Sequence, residues 1–253
     1  DNIDKFKSDE ELKPLVNALL QQKKKQKMLD KQKKQFTANV SHELKTPLTS
    51  IAGYAELIET GMAKPEDIKP FAGVIRKQAL RLVSLSEDII QLSQLEESDD
   101  EDMSFESVNL YEIAQRCVEA LNINAINKGV TLNLTGEECY IRGKAQLVEE
   151  LVYNLCDNAI RYNKENGNVT VTVTPLEKGA SVSVKDTGIG IPKKYQERIF
   201  ERFFRVDKSR SKATGGTGLG LAIVKHITQL HDAKLEISSE EGKGTEIIVT
   251  FKD

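Results

Sequence analysis

The sequence contains no tryptophan, and its 253 residues include only three cysteines, three histidines and six prolines. The cysteines are widely spaced and odd in number, so they make neither a disulfide framework nor a metal-binding pattern, and a reducing compartment is expected. No run of about 18 apolar residues occurs, which leaves no candidate membrane-spanning helix. The formal net charge of −3 gives no general electrostatic reason to expect nucleic-acid binding.

Two further absences concern function and processing. The phosphate-binding pattern Gly-x-x-x-x-Gly-Lys-[Ser/Thr] is missing, which excludes a P-loop ATPase. No signal peptide is visible at the start. The first residue is Asp rather than Met, so we expect a fragment of a longer protein.

Residues 11–35 predict a helix that is polar on most faces. Seven lysines crowd residues 23–34, and Asp30 is the only acid between them. One interpretation is a solvated helix with frayed ends, and another is a coiled-coil signalling stalk over residues 1–35 that leads into the next domain. A third is a basic segment that lies close to an anionic membrane surface.

Residues 36–96 predict a helical hairpin. Apolar residues form one stripe along residues 36–60 and another along residues 71–95, at the spacing of amphipathic helices. Gly61 ends the first helix, and Pro65 lies in the turn. A single hairpin buries both stripes poorly, whereas two copies form a four-helix bundle, so we predict a homodimer through residues 36–96.

An acidic block follows, with six acids in the seven positions 96–102. Such a block repels itself and does not pack, so residues 97–104 are interpreted as a linker and domain boundary. Residues 105–253 mix helical patterns with alternating apolar and polar runs. The helices are expected at about 109–127, 144–162 and 217–230, and the strands at 130–134, 139–142, 168–174, 180–185, 234–238 and 245–251. This order predicts an α/β sandwich, with helices on one face of a mixed sheet.

The helical pattern around His42 predicts that its side chain is exposed. It lies about 160° from Leu44 on the helical wheel, so it points away from the apolar stripe, with Thr46 on its own face. A partly neutral imidazole beside the carboxylate of Glu43 is a plausible phosphoryl acceptor. Pro47 removes a backbone donor and is expected to kink or loosen this helix.

Three later segments have the residue types of a nucleotide pocket. Asn154 and Asn158 share one side of a helix, where a magnesium ion and phosphate oxygens would satisfy their amides. Asp186 follows a strand, and glycines after it let the backbone approach a base. The glycines at 216–220 open a helix whose free amides can bind phosphate. Each segment also has a less specific interpretation. The asparagines could lie on a helix edge that packs against a loop, and Asp186-Thr-Gly188 is also a common turn and the aspartic-protease triplet. The glycines at 216–220 resemble a dinucleotide-binding fingerprint, but that motif requires a strand immediately upstream, which is missing here.

Together, the four segments in this order resemble the sensor histidine kinases of two-component signalling, over roughly residues 36–253. The resemblance implies that His42 is phosphorylated, that Glu43 is the general base and that Thr46 assists dephosphorylation of the partner. It also implies that Asn158 is the Mg²⁺ ligand, that Asp186 reads adenine and that Arg205 reaches the γ-phosphate beside a lid at 207–216. The remaining ATP-binding residues implied are Asn154, Arg161 (where the family commonly has Lys), Tyr162, Gly188, Gly190, Thr217, Gly218, Leu219 and Gly220.

The resemblance implies ATP and Mg²⁺ as cofactors and a response-regulator receiver domain as partner. It also implies a membrane-anchored parent protein, of which this chain is the cytoplasmic portion. Two other functions stay open at this point. A gyrase- or MutL-like ATPase would use the same pocket without His42, and a non-catalytic dimeric adaptor would use neither.

Overall fold

The computed structural model describes residues 13–97, 104–206 and 216–252. The chain divides into two units, Asp1–Leu82 and Val83–Asp253, and the division falls within the second long helix. Among the described residues, no helix is both long enough and apolar enough to cross a membrane.

The first unit holds helix α1, Lys13–Glu59, and the start of helix α2, Pro65–Glu97. α1 is one continuous helix that includes the described part of the predicted stalk and runs through Pro47. The turn follows the prediction: Gly61 has a φ of 71°, and its N–H donates to Ile58 O at 3.2 Å. A left-handed residue here suits glycine because no Cβ opposes it.

The second unit begins with the C-terminal part of α2 and continues into the mixed α/β region. Its helices are α3 (Leu110–Lys128), α4 (Ala145–Arg161) and α5 (Gly220–Leu230). Its strands are β1 (Glu106–Asn109), β2 (Thr131–Gly136), β3 (Tyr140–Gly143), β4 (Asn168–Pro175), β5 (Ala180–Asp186), β6 (Lys234–Glu240) and β7 (Gly244–Phe251). These bounds confirm the predicted elements to within about three residues.

The main sheet has the strand order β2-β4-β5-β7-β6. β2 runs parallel to β4 and the other pairs are antiparallel, so the predicted mixed sheet is confirmed. Every second residue of β4 is buried (Val169, Val171 and Val173), and β5 repeats the pattern. One face of the sheet is therefore covered by helices, as period-two strands require.

Short local signals fix the ends of the helices that carry the site. Asn109 caps α3, because its Oδ1 accepts hydrogen bonds from Tyr111 N and Glu112 N at 3.1 and 3.2 Å. Gly129 ends the same helix at a φ of 68°. α4 buries an apolar stripe of Leu151, Val152 and Leu155, which leaves its polar residues on the other side.

Candidate functional site

His42 is exposed on α1, as the helical wheel predicts. The Thr46 hydroxyl, one turn later, donates to His42 O at 3.2 Å, and Thr49 donates to Lys45 O at 2.9 Å. Pro47 has no N–H to donate to the carbonyl of the preceding turn, and the two hydroxyls on either side of it bond to neighbouring carbonyls of the same helix. The imidazole is thus accessible on a continuous helix, and Glu43 is its neighbour in the sequence.

Glu43 is engaged by a cation from the other helix of the hairpin. Arg81 Nη2 on α2 lies 3.0 Å from Glu43 Oε2, and the two side chains retain 13% and 25% of their exposure. The sequence analysis did not identify Arg81, because 38 residues separate the pair and only the register of the hairpin brings them together.

The polar segments of the second unit converge on one cavity of about 810 Å³. The cavity also has apolar walls, including Ile189, Ile191 and Ile247. A concave site of this size with a few convergent polar groups is typical of a small-molecule pocket. The sequence-predicted residues that line it are Asn154, Asn158, Arg161, Tyr162, Asp186, Gly190, Arg205, Thr217, Gly218 and Gly220.

The two asparagines of α4 have fixed amide orientations. Asn154 Nδ2 donates to Glu150 O at 3.0 Å, and Asn158 Nδ2 donates to Asn154 O at 2.8 Å. Only the NH₂ group of an amide can donate, so the Oδ1 atom of each side chain remains an acceptor. α5 begins against them, since a Cβ at Gly220 would lie 2.6 Å from Asn154 Oδ1. The Oδ1 acceptor of Asn154 therefore lies beside the start of α5, where the nearest atom of Asn158 is its Nδ2, 3.4 Å from the same Cβ position.

Asp186 stands at the end of β5 with its carboxylate partly bonded. Oδ1 accepts from Gly188 N at 2.7 Å and from Thr245 N at 3.3 Å. Burial raises the pKa of this carboxyl above its usual value, while the two N–H groups act in the opposite direction. Oδ2 accepts no hydrogen bond from the described parts of the chain. It is therefore available to a donor that enters the cavity.

Gly188 and Leu219 do not line the cavity, although the sequence analysis places both in the site. Gly188 packs against the backbone instead, because a Cβ there would lie 2.4 Å from Tyr162 O. The side chain of Leu219 is fully buried in the core. Both residues therefore contribute backbone geometry rather than side-chain contacts.

Arg161 and Tyr162 end α4 at the rim of the cavity. Arg161 Nη2 makes an ion pair with Asp157 Oδ2 at 2.6 Å. A Cβ at Gly216 would lie 3.2 Å from the Tyr162 hydroxyl, so the tyrosine ring is close to the glycine loop. The basic segment between Val206 and Gly216, where the sequence analysis places a lid, lies outside the described residues.

The glycine loop, residues 216–220, packs closely against residues 203–205. Phe203 has a φ of 61°, unusual for an aromatic residue, and its N–H donates to Gly218 O at 2.8 Å. Arg205 Nη2 donates to Gly216 O. Gly218 itself has a φ of 78°, and a Cβ there would lie 3.1 Å from Phe203 Cα. The loop conformation thus depends on glycine at 218.

Replacing Gly218 with alanine is expected to weaken nucleotide binding roughly 10- to 100-fold. The substitution combines left-handed strain with backbone crowding, a cost on the order of 1–3 kcal/mol that falls on the loop conformation seen in the structure. Isothermal titration with ATP measures the change. Gly73→Ala is the matched control, because Gly73 lies within α2 with nothing within 4 Å of its Cβ position. Equal affinities for Gly218→Ala and the native chain would contradict this account of the loop.

Asp88 on α2 is a cavity residue that the sequence analysis missed. Thr217 Oγ1 donates to Asp88 Oδ2 at 2.5 Å, and Asp88 lines the cavity. Burial raises the pKa of this carboxyl, although the Thr217 hydroxyl acts in the opposite direction. The sequence around an acidic residue on an amphipathic helix does not show whether its side chain lines a cavity or faces solvent, so Asp88 could not be predicted.

Two family models match the chain, one in each part of the sequence. The family model of the His Kinase A (phospho-acceptor) domain matches residues 32–98. The model of the histidine kinase-, DNA gyrase B-, and HSP90-like ATPase matches residues 143–253. The chain is 36% identical over 230 residues to the sensor histidine kinase WalK of Bacillus subtilis (strain 168), which covers 89% of this chain. The chain spans 38% of the length of that relative.

Solved structures with a similar fold are also histidine kinases. Full-length ShkA in complex with AMPPNP is 25% identical, with a TM-score of 0.61 over 85% of this chain and 46% of that one. ThkA in complex with the response regulator protein TrrA is 23% identical, with a TM-score of 0.69 over 86% of this chain and 61% of that one. The latter likeness concerns the fold. With both family domains present in order, the chain belongs to the sensor histidine kinases of two-component systems.

Proposed function

We propose that this chain is an ATP-dependent protein histidine kinase. It phosphorylates its own His42, passes the phosphoryl group to an Asp of a response-regulator receiver domain, and also dephosphorylates that regulator. One observation carries the proposal: the side chains of Asn154, Asn158 and Asp186 and the glycine loop converge on one cavity. The same chain exposes His42, which precedes Glu43.

ATP is the nucleotide that the cavity suits best. Asp186 Oδ2 is an acceptor for the adenine amino group, and the apolar walls suit the faces of the base. The start of α5 offers backbone N–H groups to phosphate oxygens. Arg161 and Arg205 add positive charge at the same cavity. The AMPPNP complex of the related ShkA supports this choice.

The donor set fits a magnesium ion, with Asn158 as its protein ligand. The free amide oxygens of Asn154 and Asn158 are hard donors, which Mg²⁺ prefers. No group of three or more His, Cys, Asp or Glu side chains that could hold a metal occurs among the described residues. This agrees with an ion held by one or two protein oxygens together with substrate phosphates. When bound, the ion would neutralise charge on the phosphates during transfer.

In the proposed reaction, His42, Glu43 and Arg205 each have a separate role. A ring nitrogen of His42 forms the bond to the γ-phosphorus as the bond to the bridging oxygen breaks, and ADP keeps that electron pair. Glu43 takes the proton that the imidazole loses. Arg205 stabilises the charge of the transferring group. In the separate phosphatase reaction, the exposed Thr46 hydroxyl positions a water molecule that attacks the phosphorus of the phosphorylated regulator, which releases inorganic phosphate and the free Asp carboxylate.

We also propose that the chain is a homodimer through residues 36–96. Several large apolar side chains of the hairpin stay exposed in the single chain, including Leu48 at 54%, Leu80 at 59% and Ile68 at 44%. Pairing two hairpins as a four-helix bundle would bury such side chains. Sedimentation equilibrium should give twice the chain mass of 28.2 kDa, whereas a mass of one chain would refute the dimer.

The remaining proposals concern organisation and location. We assign residues 1–35 to a signalling helix, 36–96 to dimerisation and phosphotransfer, 97–104 to a linker and 105–253 to ATP binding. The parent protein is proposed to be a membrane-anchored receptor with this chain on its cytoplasmic side. Fractionation of source cells with an antibody to the chain tests this, and recovery in the supernatant alone would refute it.

The experiment that tests the kinase proposal is incubation of the native chain with γ-labelled ATP and Mg²⁺. Label should remain on the chain, disappear in acid and survive alkali, as a phosphoramidate does. ATP turnover without protein label would favour a plain ATPase. Neither label nor nucleotide binding would leave only a non-catalytic adaptor.

A further inference from the structure

We infer that Arg81 is a positioning residue that orients Glu43 for proton transfer during phosphorylation of His42. The inference rests on the proposed kinase function. It assigns a role in the chemistry to α2, the helix that does not carry the phosphoacceptor.

The geometry of the pair is specific. Arg81 Nη2 lies 3.0 Å from Glu43 Oε2, within the range of a charge-assisted hydrogen bond. Both side chains are mostly shielded from water, at 13% and 25% exposure, so solvent screens the attraction less than at an open surface. An ion pair in that setting restricts the carboxylate more than exposed pairs do.

Glu43 needs such restriction because of its place on α1. Neighbouring residues on a helix point about 100° apart, so a Glu beside His42 does not face the imidazole by default. A general base acts only within hydrogen-bond reach of the proton it takes. Holding Oε2 from the second helix limits the three side-chain torsions of Glu43, which lowers the entropic cost of the reactive arrangement.

Arg81 has no direct part in the proton transfer. A guanidinium has five donors and no acceptor, and it stays protonated in proteins, so it is not itself a base. Its effect on the rate must therefore pass through Glu43. This separates the inference from a purely structural role, in which Arg81 only holds α2 against α1.

A double-mutant cycle distinguishes the two roles. The four chains are native, Glu43→Gln, Arg81→Gln and the double variant, each assayed for the single-turnover rate of His42 phosphorylation at saturating ATP. We expect Arg81→Gln to slow the reaction about 10- to 100-fold and Glu43→Gln on the order of 100-fold or more. The double variant should match Glu43→Gln within about twofold, because Arg81 then has no carboxylate to orient.

Matched controls accompany the cycle. Arg76→Gln makes the same change at an exposed position of α2, five residues earlier, and should keep the native rate. Arg81→Lys keeps the charge and should recover part of the lost rate. The Kd for ATP should be the same in all variants, and circular dichroism should show native helical content.

Three results would overturn the inference. The first is a native rate for Arg81→Gln while the native chain is labelled. The second is a double variant that loses the full product of the two single effects. The third is an Arg81→Lys chain that folds and recovers none of the rate. If Arg81→Gln itself does not fold, the comparison of Arg81→Lys with Glu43→Gln/Arg81→Lys gives the same test. A native chain that takes no label refutes the kinase proposal instead, so the two failures are distinct.

Discussion

Replacing His42 with glutamine is expected to abolish labelling from γ-labelled ATP, with a loss of at least roughly 1000-fold, because the substituted amide has no nucleophilic ring nitrogen. Glutamine has a favourable helix propensity, so α1 should persist. The cavity lies in other residues, so the Kd for ATP should stay at its native value. Autoradiography and titration calorimetry on the same preparation measure the two quantities.

The other two histidines make the result specific. His231 is 7% exposed, and both ring nitrogens are engaged, with Ile227 O at 2.8 Å and Lys144 N at 3.2 Å. Burial also lowers the pKa of His231, although the hydrogen bond to Ile227 O acts in the opposite direction. His226→Gln is the matched control and should keep full labelling, although its Nε2 lies 3.0 Å from Leu95 O. Label that survives in His42→Gln and is lost in His226→Gln would reassign the phosphoacceptor.

Asp186→Asn is expected to weaken ATP binding roughly 10- to 100-fold. The Asn oxygen can still accept from Gly188 N and Thr245 N, so the local fold should survive. The NH₂ group then takes the place of Oδ2 and faces the adenine amino group, donor against donor. A mispaired buried donor costs about 1–3 kcal/mol, which gives that range of affinity.

A comparison of adenine and inosine nucleotides sharpens the Asp186 prediction. Inosine has an oxygen in place of the amino group, so the native chain should prefer ATP over ITP, and Asp186→Asn should lose or invert that preference. Asp232→Asn, at an exposed position of the same unit, is the control and should bind ATP as the native chain does. An unchanged ATP-to-ITP ratio in Asp186→Asn would remove Asp186 from base recognition.

The sequence was sufficient for the elements with strong periodicity. α4 and β4 have clear patterns of 3.6 and 2 residues, and the structure confirms both. β1 was missed because it has four residues without alternation, and it pairs only with β3 in a separate two-stranded sheet. α1 combines a polar part and an amphipathic part in one helix, because helix continuity depends on backbone hydrogen bonds rather than on composition.

The residues of each motif were predictable because they lie close together in the sequence. Their partners in the folded chain were not predictable, because they are far away in the sequence. Arg81 and Asp88 reach Glu43 and Thr217 across 38 and 129 positions, and such contacts depend on the register of packed elements. Single-sequence patterns report local periodicity and carry no information on which distant side chains meet. The roles of the site residues therefore stay predictions that the experiments above test.

The position of Tyr162 makes nucleotide binding optically visible without an added dye. The chain has six tyrosines and no tryptophan, so tyrosine emission is not hidden by a stronger emitter or drained by energy transfer to an indole. Tyr162 and Tyr153 both line the cavity. A purine that stacks on or near either ring should quench part of this emission, so a simple fluorescence titration of the unmodified chain would follow occupancy in real time.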